Sequence, residues 1–132
     1  MTQAELTTLL VDDTPANVKL LSLLLKANGF AVTVATTGEA ALELLASAEF
    51  RLMLLDLRLP GIDGLTVART VRADPARQRL VIVAITASAM KSDIAAALAA
   101  GCDAFISKPI NTRTLVPTLV GLVARGRQAA AR

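Results

Sequence analysis

The sequence contains no histidine, no tryptophan and no tyrosine, and it has one cysteine and three phenylalanines. Each shortage removes a class of chemistry. Without histidine the chain lacks the commonest general base and metal ligand, so a reactive centre must be built from carboxylates, hydroxyls and ammonium groups. With so few rings there is nothing for a flavin to stack on, which argues against a flavin carrier, and no platform for nucleobases. Cys102 stands alone, so no internal disulfide can form; it agrees with a reducing compartment and reads as a small buried apolar residue. No apolar run reaches the roughly 20 residues of a membrane span, and the N-terminus lacks the basic-then-apolar order of a signal peptide. A cytoplasmic protein with no membrane partner is expected. The net charge of +3 is spread along the chain, and only Arg125, Arg127 and Arg132 gather, so no direct nucleic-acid contact is expected.

What is present is apolar. Hydrophobic residues make up 54% of 132, enough for one core and too few residues for two folded units, so output is expected through another protein. Short apolar runs recur at Leu6 to Val11, Ala31 to Ala35, Leu52 to Leu55, Leu80 to Ile85 and Ala104 to Ile106, with helical patterns between them. This is a βα alternation repeated five times. The runs from Leu52 and Leu80 are almost wholly apolar rather than alternating, as strands covered on both faces should be. The fold class predicted is α/β, a doubly wound parallel sheet between two layers of helices.

Helix ends are marked as well. Thr14-Pro15 offers an N-cap hydroxyl and a proline at the first helical position, and Gly29 a C-terminal glycine. The second helix is expected over Gly38 to Ser47 and the third over Asp63 to Ala73, ended by Asp74-Pro75. The fourth is expected over Ala89 to Ala100 and the fifth over Thr112 to Ala124, with Pro117 kinking it or delaying its start. Residues 1–4 and 126–132 are expected to be short flexible termini.

In an open parallel sheet, ligands bind beyond the carboxyl ends of the strands. The first run ends in Asp12-Asp13, the third in Asp56, the fourth in Thr86 and the fifth in Ser107-Lys108-Pro109; the second ends in uncharged Thr36-Thr37. Singly, each residue has an ordinary explanation. Asp12 and Asp13 would suit a helix's positive end, Asp56 a turn, Thr86 a cap and Lys108 a solvated loop. Jointly, those explanations would require four separate coincidences at one edge of one sheet. Three carboxylates brought together there need positive charge between them, and an oxygen-binding cation such as Mg²⁺ supplies it. Beside such a cation a carboxylate becomes a nucleophile toward phosphorus, with Lys108 and Thr86 placed to contact the phosphoryl oxygens. The chain has no Gly-x-x-x-x-Gly-Lys-Ser/Thr loop for ATP, so the phosphoryl group must be delivered by another molecule.

Asp12-Asp13, Asp56 within LMLLDLRLPGIDG, Thr86 within VAITASAM and Lys108-Pro109 within FISKP resemble the receiver domain of two-component response regulators, the CheY-like superfamily, over residues 5 to 125. The wording ITASAMKSD and GCDAFISKPI is most similar to stand-alone receivers of the DivK type. The resemblance implies a (βα)5 flavodoxin-like sheet of order 2-1-3-4-5. It also implies phosphotransfer to Asp56 from a histidine kinase or histidine phosphotransfer protein, and Mg²⁺ held by Asp12, Asp13, Asp56 and the backbone carbonyl of Arg58. Thr86 and Phe105 would form the switch that reshapes the face of the fourth helix, fifth strand and fifth helix for a downstream protein target. Arg58 and Ser88 would flank the approach of water to the phosphoryl group. Leu23, set among polar Lys19, Ser22 and Lys26 while Leu20, Leu21, Leu24 and Leu25 form a core face, would meet the donor. The protein would be a regulatory phosphoacceptor rather than an enzyme, a monomer or weak homodimer. A pseudo-receiver that binds constitutively is the alternative, but it predicts a damaged site. An aspartate-nucleophile phosphatase would want a second carboxylate where Arg58 stands.

Overall fold

A computed structural model describes residues 6–87 and 90–130, with side chains to Arg125. Five strands alternate with five helices: β1 (Thr7–Val11), α1 (Pro15–Ala27), β2 (Ala31–Ala35), α2 (Gly38–Ser47), β3 (Leu52–Asp56), α3 (Gly64–Ala73), β4 (Val81–Thr86), α4 (Lys91–Ala99), β5 (Ala104–Ser107) and α5 (Leu115–Ala130). A short 3-10 turn, Pro75–Arg77, leads from α3 toward β4. The strands form one parallel sheet in the order β2-β1-β3-β4-β5. The expected fold is the observed one.

Strand periodicity divides the core in two. Leu9, Val11, Met53, Leu55, Ile82 and Ala84 face the layer of α2, α3 and α4, where they meet Ala41, Leu45, Val67, Val71 and Ala97. Leu10, Leu52, Leu54, Val83 and Ile85 face α1 and α5, against Leu21, Leu25, Leu115, Leu119 and Val123. Every residue of β3 and β4 is buried, which explains their unbroken apolar sequence. β2, the one strand without a charged or chemically useful terminus, is an edge strand and half open to solvent.

Local expectations mostly stand, although α4 is described over Lys91–Ala99 rather than Ala89 to Ala100, and further differences have local causes. Thr14 occupies the N-cap of α1, but its hydroxyl makes no capping bond. Instead its backbone N–H donates to Asp12 Oδ1 at 2.9 Å, an aspartate side chain two residues upstream taking over the local turn. Leu20 is 46% exposed rather than core, because Leu21 and Leu25 centre the buried face and Leu20 falls about 100° to one side. α5 starts at Leu115, which puts Pro117 in the first turn where an N–H has no intrahelical partner to lose. It runs on to Ala130 instead of ending at Ala124. Gly29, at φ 88°, takes the left-handed conformation expected after α1.

Candidate functional site

Parallel register places the strand ends level. Val11 pairs with Leu55, Asp56 with Ile85 and Thr86 with Ser107, so the residues that end β1, β3, β4 and β5 share the carboxyl edge. Two further ladder bonds carry the alignment past the strands: Asp12 N–H donates to Ala35 O at 3.1 Å and Lys108 N–H to Thr86 O at 2.8 Å. The Lys108-Pro109 bond that follows is cis.

Asp12, Asp13 and Asp56 each direct one carboxylate oxygen into a common space, the three atoms lying within 4.8 Å of one another. Asp12 and Asp56 are buried, at 0% and 2% exposure, and Asp13 is open to solvent. Lys108 Nζ lies 3.0 Å from Asp56 Oδ2, and the Arg58 backbone N–H donates to Asp56 Oδ1 at 2.9 Å. Thr86, 8% exposed, ends β4 alongside. Burial raises the pKa of Asp12, with Asp56 and Asp13 adding to the effect and the Thr14 N–H and Lys108 opposing it.

One oxygen of this cluster is unaccounted for. Asp12 Oδ2 is buried and has no hydrogen-bond partner, although Oδ1 is satisfied by Thr14. A buried anion lacking a donor is costly, and three converging carboxylates offset by one ammonium leave net negative charge. The donor set is all oxygen, the preference of a hard divalent ion such as Mg²⁺. The residues present therefore fit a metal of that kind.

Two residues on the periphery differ in what was legible beforehand. Phe105, on β5, is 38% exposed, so it is not the core aromatic that strand period alone would make it. Leu23 is 61% exposed on α1, with Leu20 one turn away. Ser88, with Ala89, Arg127 and Arg132, lies outside the described side chains. The amide of Arg58 was not foreseen as a donor to Asp56; the signal was Asp56 itself, since a carboxylate ending a strand commonly accepts from the N–H two residues on. Gly64 was also missed. A Cβ there would fall 2.6 Å from Leu57 Cα and 2.8 Å from Asp56 O, so its bare backbone lets α3 abut the segment carrying Asp56.

Known proteins resemble the chain along most of its length. The response regulator receiver domain family matches residues 8–120. A polar-differentiation response regulator DivK from Brucella ovis is 33% identical over 111 residues, 84% of this chain and 90% of the relative. Among solved structures, a response regulator from Chloroflexus aurantiacus superposes with a TM-score of 0.86 at 34% identity, covering 90% of this chain and 98% of that one. The receiver domain of a sensor histidine kinase from Pseudomonas aeruginosa, which has a magnesium ion coordinated in its active-site cleft, gives 0.84 at 30% identity over 92% and 99%.

Proposed function

The chain belongs to the response regulator receiver domain family, and on that premise we propose that Asp56 is the phosphoacceptor of a switch that signals through protein partners. The observation that carries this reading is the Lys108 ammonium at 3.0 Å from Asp56, in the pocket that Asp12 and Asp13 also enter. The donor is a phosphohistidine on a histidine kinase or phosphotransfer protein. An Asp56 oxygen attacks phosphorus, a P–O bond forms, the P–N bond breaks, and the imidazole leaves and takes up a proton.

Asp12, Asp13, Asp56 and the Arg58 carbonyl would hold Mg²⁺, whose charge, when bound, neutralises the phosphoryl oxygens. The magnesium in the P. aeruginosa relative and the unpartnered Asp12 oxygen support that assignment. Lys108 follows charge from the Asp56 carboxylate to the incoming phosphoryl oxygens and stabilises them in the transition state. The Arg58 amide holds Asp56 in one rotamer, which fixes the direction of attack. Thr86 ends the neighbouring strand, within reach of the same pocket, and its hydroxyl donates to a phosphoryl oxygen once the group is in place. Phe105, on β5 beside β4, follows that movement, and its exposure supports a switch over a core role. The face of α4, β5 and α5, where Leu98, Phe105 and Val120 are exposed, presents the outcome to a downstream protein. Arg58 borders the approach of water and tunes how long the phosphoryl group survives. The protein acts in the cytoplasm, and among the described residues no helix is long and apolar enough to cross a membrane.

Incubation with Mg²⁺ and acetyl phosphate, followed by intact mass, tests the reading. The wild type should gain one phosphoryl group and Asp56→Asn none. No gain with metal and donor both present would point to a pseudo-receiver.

A further inference from the structure

At the opposite edge of the sheet from Asp56 lies a second cluster of charge. The Arg72 guanidinium, on α3, donates through Nε to Gly101 O at 2.8 Å, through Nη1 to Arg77 O at 3.0 Å and through Nη2 to Asp103 Oδ2 at 2.6 Å. Both side chains of the ion pair are sequestered, at 9% and 6% exposure. Gly101 is shaped to receive Arg72: its φ is 109°, and a Cβ would fall 2.1 Å from Arg72 Cγ. Asp103 in turn is locked to β4, accepting from Ile82 N–H at 2.8 Å while its own N–H donates to Ile82 O at 2.7 Å.

These bonds act at the head of a strand that pairs on one side only. β5 is four residues long, lies at the edge of the sheet and pairs with β4 alone. Asp103 stands just before its first residue and Lys108 just after its last. Whatever fixes Asp103 against Ile82 therefore fixes the origin from which Lys108 reaches Asp56. A planar guanidinium with several fixed donors suits such a joint better than any other side chain.

We propose that Arg72 is a positioning residue for Lys108. By clamping Asp103 and Gly101 it sets the placement of β5 along β4, and so sets the distance of the Lys108 ammonium from the carboxylate that takes the phosphoryl group. Asp12 and Asp13 follow β1 and Asp56 ends β3, whereas the Arg72 bonds described above go to Gly101, Arg77 and Asp103, so Mg²⁺ affinity should not depend on them. The inference rests on Asp56 being the phosphoacceptor.

The test measures the rate of phosphoryl gain from acetyl phosphate, in which the Asp56 P–O bond forms as the acetate P–O bond breaks, together with Mg²⁺ affinity by calorimetry. Arg72→Gln and Asp103→Asn are each examined with Lys108 present and with Lys108→Ala. Asp103→Asn keeps the side chain's shape and an acceptor for Ile82 but removes the charge that Arg72 pairs with, so it carries the test should Arg72→Gln not fold. Each variant should slow phosphorylation about threefold to tenfold with Mg²⁺ affinity unchanged. In the Lys108→Ala background neither should slow it further. A slowing of equal size without Lys108, a parallel loss of Mg²⁺ affinity, or no slowing would overturn the proposal. A wild type that takes up no phosphoryl group would instead overturn the phosphoacceptor reading, and this inference with it.

Discussion

At Asp12 burial works against ionisation, and the neighbouring carboxylates work in the same direction. A carboxyl whose pKa is raised in the fold costs stability once it is ionised. The cost is absent below the ordinary value of 3.8 and fully present above the raised one. Metal-free protein at neutral pH should therefore gain from Asp12→Asn, which removes the charge and keeps the acceptor for Thr14. Its melting temperature should rise by about 2–5 °C, the shift that ~1 kcal/mol produces in a domain of this size. In saturating Mg²⁺ the order should reverse if Asp12 is a ligand as proposed, because the variant would lack its carboxylate. Cys102 supplies a contrast away from the site. Burial pushes its thiol up to about 11, and it is 5% exposed within the core. Native protein at pH 8 should resist iodoacetamide, and the same thiol should alkylate readily in denaturant; fast native labelling would contradict its burial. Residues of this kind differ in how far sequence reveals them. Asp12, Asp13, Asp56 and Lys108 were legible because charged side chains just past apolar strands have few other uses. Thr14 and Leu20 were not, since each depends on competition with a neighbour: an aspartate in the first case, the exact helical phase in the second.

Among the elements, close approach of backbones decides what can change. Gly64 opens α3 directly against Asp56 and Leu57, and a methyl group there meets main-chain atoms that cannot swing aside. Gly64→Ala should destabilise the protein by about 1–3 kcal/mol in denaturant unfolding and weaken Mg²⁺ binding, since the displaced segment carries Asp56. Gly121, inside α5, where an added Cβ would meet nothing within 4 Å outside its own helix, should behave oppositely, Gly121→Ala adding about 0.5–1 kcal/mol. Element identity was readable from the apolar runs, whereas boundaries moved. β3, β4 and β5 each extend one residue beyond the apolar run, to Asp56, Thr86 and Ser107, because ladder hydrogen bonds continue through polar residues that hydrophobicity cannot mark as strand. The start of α5 moved because Pro117 tolerates only the first turn. The Arg72 clamp was not legible: Gly101 and Asp103 stand in GCDAFISKPI, but nothing in the sequence ties them to Arg72 and Arg77, some 24 to 31 positions upstream.

For the whole molecule, the sheet order separates two exposed apolar surfaces. Leu20 and Leu23 are both exposed on α1, which packs against β2 at the edge of the sheet opposite β5. Leu23→Ser should lower the transfer rate from a cognate phosphohistidine donor about tenfold, the loss of one apolar anchor, while uptake from acetyl phosphate stays unchanged. Equal rates from the protein donor would remove α1 from the docking surface. The doubly wound parallel architecture was recoverable from five βα units with fully apolar central strands, whereas the strand order came from the resemblance to receiver domains. The same order has a consequence for quality control. The reactive pocket draws on the first strand, the third, the fourth and the residue after the fifth, so its parts are distributed over 97 positions of chain, from Asp12 to Lys108. A molecule halted midway through synthesis, or nicked and stripped of its final strand, would hold acidic groups without their ammonium counterpart. Only a chain that extends through Lys108 brings Asp12, Asp13, Asp56 and that ammonium together.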